Sequence, residues 1–82
     1  MSDKYQISGR QIAAARALLG MSQSDLADSA SISVPTLRRM EASEGAASGY
    51  ANNVSAVRQA LESAGVIFVI ENGEGAGVRL KK

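Results

Sequence analysis

The sequence of 82 residues predicts a mainly α-helical fold of four to five helices followed by a C-terminal β-hairpin. Three observations lead to this prediction. Apolar residues recur every three or four positions up to about residue 64, serines precede several of these segments as N-caps, and VIFVI has the β-branched and aromatic composition of a strand. We expect residues 1–65 to form the helical part and residues 66–82 the hairpin, within one compact unit.

The first helix is predicted to begin after Ser8. Gln11 follows three residues later, which is the spacing of a capping box. The apolar side chains of this helix share one face: Ile12, Ala15 and Leu19. Arg16 lies on the same face, so its guanidinium must reach water or find a carboxylate partner.

Two further helices follow with a three-residue break at 31–33 between them. Ser22 is the predicted N-cap of the earlier helix, and Ser33 is that of the later one, which runs from Val34 to about Ser43. Pro35 fits this reading because the first turn of a helix tolerates proline. Two short helices joined by so tight a turn are typical of a helix-turn-helix motif, here at about residues 22–43.

The C-terminal part is predicted to hold a loop, a longer helix and the hairpin. Residues 44–53 are rich in Gly, Ala, Ser and Asn, and Asn52 or Asn53 is expected to cap the helix that Gly65 closes. The inner face of this helix is predicted to contain Val54, Val57, Leu61 and Ala64. VIFVI (66–70) and VRLK (78–81) then alternate around the turn ENGEGAG.

Composition excludes several classes of function. The chain contains neither cysteine nor histidine, so it lacks thiolate metal ligands and the commonest general base. We therefore expect no enzyme, no metal, no cofactor and no small-molecule effector. The apolar runs are too short to span a bilayer and no signal peptide is recognised, so a cytoplasmic protein is expected. The net charge of +1 means that any phosphate binding must depend on local placement of charge.

The predicted third helix places its two adjacent arginines toward solvent. At 100° per residue, Leu37 and Met40 share the core face, whereas Pro35, Arg38 and Arg39 lie opposite, with Val34 at the rim. Guanidinium is well suited to guanine edges and to phosphate, and Val34 and Pro35 could contact a thymine methyl group. Taken alone, however, the arginine pair favours an ordinary solvated surface over a binding site.

The segment SQSDLADSASISVPTLRRME resembles the helix-turn-helix of the lambda-repressor/Cro-like class, the XRE family of regulators. The matching positions are Ser22, Gln23, Leu26, Ala27, Ile32, Ser33, Thr36, Leu37 and Glu41. RQIAAARALLGMSQ is similar to the family's first helix, and LESAGVIFVIENGEGAGVRLKK resembles a subgroup of short bacterial members that end in a Gly-rich hairpin. The resemblance covers nearly the whole chain.

This sequence departs from the family pattern at two places. Ser31 stands where the family usually has a glycine in a left-handed turn. For serine, the left-handed conformation costs about 1–2 kcal/mol. The third helix also begins with Val34 and Pro35 rather than with the glutamines of the lambdoid phage repressors. The second departure affects the operator sequence and not the binding mode.

The resemblance implies roles for several residues in and around the motif. Gln23 is expected to donate to a phosphate, and Ser33 and Thr36 to add neutral donors to the DNA backbone. Four side chains are expected to enter the major groove: Val34, Pro35, Arg38 and Arg39. For Ser33, capping alone is an equally good interpretation. Arg16 and Glu41 are expected to form a structural ion pair.

We expect a DNA-binding transcriptional regulator, most simply a repressor that binds a palindromic operator as a homodimer. The alternative is an antitoxin or other protein-interaction module of a toxin–antitoxin pair, in which DNA binding is secondary. VIFVI is apolar on both faces, and one face is expected to lie on the helices, which leaves the other face and the open edge of the hairpin uncovered. The hairpin is therefore expected to form the homodimer interface, with Val66, Ile67, Phe68, Val69, Ile70, Val78 and Leu80. The competing possibility is that KYQI (4–7) adds a third strand and leaves a monomer.

Overall fold

A computed structural model describes residues 6–43, 45, 47–70 and 73–81 of the chain. In this part, four helices precede a two-stranded antiparallel sheet: α1 Gly9–Leu19, α2 Gln23–Ala30, α3 Val34–Glu41, α4 Ala51–Ser63, β1 Val66–Val69 and β2 Gly77–Leu80. The predicted mainly α fold with a C-terminal hairpin is confirmed. Lys4 and Tyr5 of the proposed third strand lie outside the described residues, and Gln6 and Ile7 are not in a strand.

Helix α1 begins with the predicted capping box. The backbone N–H of Gln11 donates to Ser8 Oγ (3.0 Å), and the N–H of Ser8 donates to Gln11 Oε1 (2.8 Å). The helix ends at Gly20, which has a φ of 66°. This left-handed conformation is one that glycine adopts readily. Ile12 and Ala15 are buried on its inner face, and Leu19 is half-buried.

Serine caps also define α2 and α3. The Oγ of Ser22 accepts from the N–H of Asp25 (3.0 Å), and the Oγ of Ser33 accepts from the N–H of Thr36 (3.2 Å). Between the helices, Ser31 has a φ of 57° and a ψ of 44°. The turn therefore keeps its left-handed conformation at Ser31 although no glycine is present.

The beginning of α1 lies directly against the end of α3. A Cβ atom built on Gly9 would be 2.5 Å from the carbonyl oxygen of Met40 and 2.7 Å from that of Glu41. No side chain fits in this space, so glycine is required at position 9 for the two helices to approach. Residue type and spacing do not reveal this constraint, because it comes from carbonyls that are distant in sequence and not from a left-handed backbone at Gly9.

Three details of the helices differ from the predictions. α3 ends at Glu41 and not near Ser43, whose Oγ instead donates to the Arg39 carbonyl (3.3 Å). α4 is capped by neither Asn52 nor Asn53: it begins after Tyr50, whose extended backbone supplies the carbonyl for the first helical hydrogen bonds. Ala64 is exposed because it lies beyond the last turn of α4.

The hairpin packs its inner face on the helices. Val66 pairs with Leu80 and Phe68 with Val78, and paired residues of an antiparallel sheet point to the same face. Val66 and Phe68 are buried, at 3% and 9% exposure. Ile67 points to the opposite face and is exposed.

Gln11 attaches α1 to the far end of the hairpin. Its Nε2 donates to the carbonyl oxygens of Val69 (3.2 Å) and Gly77 (2.9 Å), although the two residues are separated from it by most of the chain. At the other end, the N–H of Lys81 donates to the carbonyl of Gly65 (2.7 Å). These hydrogen bonds fix the hairpin at both of its ends.

The core joins all four helices and the hairpin. Its buried apolar members are Ile7, Ile12, Ala15, Leu26, Ala27, Ala30, Leu37, Met40, Val57, Leu61, Val66 and Phe68. This packing holds α2 and α3 in a fixed relation, and the surface of α3 that faces away from the core is therefore presented on a rigid support.

Candidate nucleic-acid interface

Helix α3 has a sharp division between its two sides. Leu37 and Met40 have 0% exposure, whereas Pro35, Arg38 and Arg39 are exposed. Val34 and Thr36 are half-buried at the border. The four residues expected to enter a major groove therefore lie along one accessible side of the helix.

Ser33 and Thr36 form a local pair at the beginning of α3. Besides capping the helix, Ser33 Oγ donates its hydroxyl hydrogen to Thr36 Oγ1 (2.8 Å). The single hydroxyl hydrogen of Ser33 is used in this arrangement, whereas the hydroxyl of Thr36 donates to no acceptor in the described part of the chain. Thr36 is the better placed of the two to donate to DNA.

Gln23 makes contacts within the domain that the sequence did not reveal. Its Nε2 donates to Glu41 Oε1 (3.0 Å), and its Oε1 accepts from Arg38 Nε (3.4 Å). The side chain is half-buried at the first position of α2. It thus joins the N-terminus of α2 to the exposed side of α3.

The structure brings Arg16 and Glu41 together across α1 and α3. Arg16 donates from Nε to Glu41 Oε2 (2.7 Å) and from Nη2 to Glu41 Oε1 (2.9 Å), while Nη1 donates to the Met21 carbonyl (3.1 Å). The side chains are 21% and 8% exposed. The hydrogen bonds to Glu41 raise the pKa of Arg16 above its usual value, so this guanidinium stays charged.

Arg39 is held differently from its neighbour Arg38. Within the described part of the chain, no hydrogen bond or ion pair restrains its guanidinium, whereas its backbone carbonyl accepts from two side chains. Ser43 and Ser48 both donate to that carbonyl, at 3.3 Å and 3.4 Å, and fold the following loop against the end of α3. These two serines were not predicted from the sequence, because the composition of a Gly- and Ser-rich loop does not indicate which hydroxyls form hydrogen bonds.

The seven residues expected at a dimer interface occupy three different environments. Val66 and Phe68 belong to the core of the single chain, and Val69 and Val78 are half-buried. The remaining three are accessible: Ile67 is 40%, Ile70 53% and Leu80 44% exposed. A second chain could therefore contact only part of the predicted set.

The described residues contain neither a candidate metal cluster nor a candidate membrane-spanning helix. No group of three or more His, Cys, Asp or Glu side chains in that part of the chain could hold a metal ion. None of the helices within the described ranges is long and apolar enough to cross a membrane.

Comparison with known proteins agrees with the geometry of α2 and α3. No curated protein matches the chain. Residues 12–49 match a family described as helix-turn-helix, and this range contains α2, the turn and α3 in full. The match and the arrangement of the helices support an XRE-type helix-turn-helix within residues 12–49, the kind of motif found in DNA-binding regulators.

Proposed function

We propose that the protein is a sequence-specific transcriptional regulator of the cytoplasm, acting as a repressor that binds a palindromic operator as a homodimer. The observation that carries this proposal is the exposed side of α3. Two guanidiniums and the apolar Pro35 are accessible there, while Leu37 and Met40 on the other side are completely buried. A helix anchored in this way can enter a major groove without distortion of its own domain.

The proposed contacts follow from the chemistry of the side chains. Arg38 and Arg39 can donate to guanine N7 and O6 or to phosphate oxygens, and Val34 and Pro35 can pack against thymine methyl groups. Thr36 is proposed to donate to the DNA backbone. Ser33 supports this contact indirectly, since its hydroxyl orients that of Thr36.

The homodimer is proposed because one α3 helix covers only a few base pairs. Helix-turn-helix dimers read two half-sites about 34 Å apart, and doubling the contacts matters for a chain with a net charge of +1. The accessible apolar residues of the hairpin support an interface there. Because Val66 and Phe68 are buried in their own chain, we assign the interface to the outer face of β1, which contains Ile67 and Val69. Leu80 and Val78 pair with Val66 and Phe68 and share their inner face, so we place them, together with Ile70 at the end of β1, at the border of the interface.

The antitoxin alternative predicts a C-terminal segment that is available to a partner protein. In this chain, Phe68 is buried, Gln11 binds two carbonyls of the hairpin, and Lys81 closes its base. These contacts support a regulator in which the hairpin is part of the DNA-binding domain. Co-purification of the full chain with a toxin would favour the alternative.

Selection of bound duplexes from a random DNA pool tests the proposed function. We expect the selected sites to share a motif with two inverted half-sites, their centres about 10 base pairs apart. A pool that shows no enrichment after several rounds would contradict sequence-specific binding. Enrichment of a single half-site would contradict the palindromic, dimeric part of the proposal.

A further inference from the structure

A series of hydrogen bonds leads from the interior of the domain to the proposed DNA-binding side of α3. Glu41 is 8% exposed in its side chain and is fixed by two hydrogen bonds from Arg16. Gln23 donates to the same carboxylate (3.0 Å) and accepts from Arg38 Nε (3.4 Å). Through Gln23, the ion pair is therefore connected to a side chain on the exposed surface.

The two partners of Gln23 allow only one orientation of its amide. An ionised carboxylate only accepts hydrogen bonds and a guanidinium only donates them. The NH₂ group must therefore face Glu41, and the carbonyl oxygen must face Arg38. An amide rotated by 180° would place oxygen against oxygen and N–H against N–H, so Gln23 has a fixed acceptor for Arg38.

Arg38 and Arg39 consequently differ in freedom. Gln23 occupies the Nε of Arg38, and the Nη groups of Arg38 have no partner in the described part of the chain. The guanidinium of Arg39 has no such support there. A restrained planar donor loses less conformational entropy when it binds a base edge than an unrestrained one.

We propose that Gln23 is a positioning residue for DNA recognition: it holds the guanidinium of Arg38 for contact with the acceptor edge of a base and thereby influences sequence preference. This inference rests on the DNA-binding function proposed above. The phosphate contact that the family resemblance implies for Gln23 is compatible with this role, because its NH₂ group has a second hydrogen besides the one donated to Glu41.

Double-mutant cycles test the proposal on the selected duplex. Gln23→Met keeps the length of the side chain but removes both hydrogen bonds. We expect it to weaken binding about five- to tenfold in the wild-type and Arg39→Ala backgrounds, and less than about twofold in the Arg38→Ala background. Equal losses in all three backgrounds would overturn the proposal, because they would show that Gln23 acts independently of Arg38. Circular dichroism establishes that each variant is folded, and Gln23→Ala serves as a second variant if Gln23→Met is not.

A measurement without DNA separates this inference from the proposed function. In ¹⁵N NMR spectra of the free protein, Gln23→Met should shift the Nε–Hε signal of Arg38 and speed its exchange with water, while the Arg39 signal and the control Ser24→Ala show no such change. An unchanged Arg38 signal would overturn the inference whatever the DNA results. If the wild-type chain prefers no duplex, the proposed function is overturned as well. If the wild type is selective but Gln23→Met weakens binding equally in every background, this inference alone is overturned.

Discussion

The guanidinium of Arg16 and the carboxylate of Glu41 form a two-pronged ion pair, with N···O distances of 2.7 Å and 2.9 Å. Arg16 also donates to the carbonyl of Met21 at the corner between α1 and α2. This one side chain therefore connects α1, the entry to α2 and the end of α3. The position of the proposed DNA-binding helix depends on it.

Removal of either partner should destabilise the domain. Arg16→Ala leaves the poorly exposed carboxylate of Glu41 without its cation, and we expect a loss of about 3–5 kcal/mol in the free energy of unfolding. Glu41→Ala should be less severe, because the 21% exposed side chain of Arg16 can reach water. Thermal and urea unfolding followed by circular dichroism give both values.

The double variant and a surface pair provide the controls. Arg16→Ala combined with Glu41→Ala should be no worse than Arg16→Ala alone, and strictly additive losses would argue against direct pairing. Glu62→Ala removes the partner of Arg58 in an exposed pair of 3.1 Å on α4. That change should cost less than about 0.5 kcal/mol.

Gly9→Ala should be strongly destabilising. The new methyl group would lie within 3 Å of the carbonyl oxygens of Met40, Glu41 and Ser43, and these backbone atoms cannot move without shifting the end of α3. We expect a loss of about 3 kcal/mol, since overpacking against backbone is poorly relieved. Gly77→Ala is the matched control, because no atom lies within 4 Å of the Cβ it would add. A Gly9→Ala variant as stable as Gly77→Ala would show that α1 and α3 are not in this close contact.

Ser31→Gly should stabilise the domain. Ser31 has a φ of 57°, and glycine avoids most of the left-handed penalty at the cost of greater freedom in the unfolded chain. The expected gain is about 0.5–1 kcal/mol, measured as an increase in the melting temperature. Ser29→Gly places the same substitution inside α2 and should instead lower stability by about 0.5 kcal/mol. Loss of stability in both variants would contradict a strained turn.

The features that could be predicted from the sequence are local ones. Ser8, Ser22 and Ser33 cap their helices with backbone groups only three residues away, so residue type and spacing identify them. The cap of α4 was assigned wrongly because a backbone carbonyl, that of Tyr50, fulfils the role expected of an asparagine side chain.

The missed features depend on residues that meet only in the folded chain. Gln23 contacts Glu41 and Arg38 across two helices, and neither contact has a sequence spacing that reveals it. Gly9 is required because of carbonyls more than 30 residues away. The Arg16–Glu41 pair would have remained equally hidden, but the resemblance to the XRE family implied it.

The proposed dimer interface can be tested with one charge on the hairpin. Ile67→Lys places an ammonium on the exposed face of β1 without entering the core, so it should convert a dimer to a monomer while leaving the fold intact. Leu18→Lys is the control, since Leu18 is similarly exposed, at 45%, but lies on α1. Size-exclusion chromatography with light scattering at several concentrations reports the mass.

Two outcomes with the wild-type chain would change the proposed dimer interface. A wild-type chain that is monomeric at high micromolar concentration and still binds a palindrome cooperatively would show that the dimer forms only on DNA. One that is monomeric and binds a single half-site would contradict the hairpin interface.

The central claim is that α3 reads DNA sequence, and a binding titration tests it most directly. Wild type, Arg38→Ala and Arg39→Ala are each titrated with the selected duplex and with a scrambled duplex at the same salt concentration. If α3 lies in the major groove, at least one arginine variant should lose about 1–3 kcal/mol on the selected duplex and much less on the scrambled one, with relaxed preference at one base pair. Equal losses on both duplexes for both variants would reduce the arginines to backbone contacts. A wild-type chain that binds the two duplexes equally would contradict the claim itself.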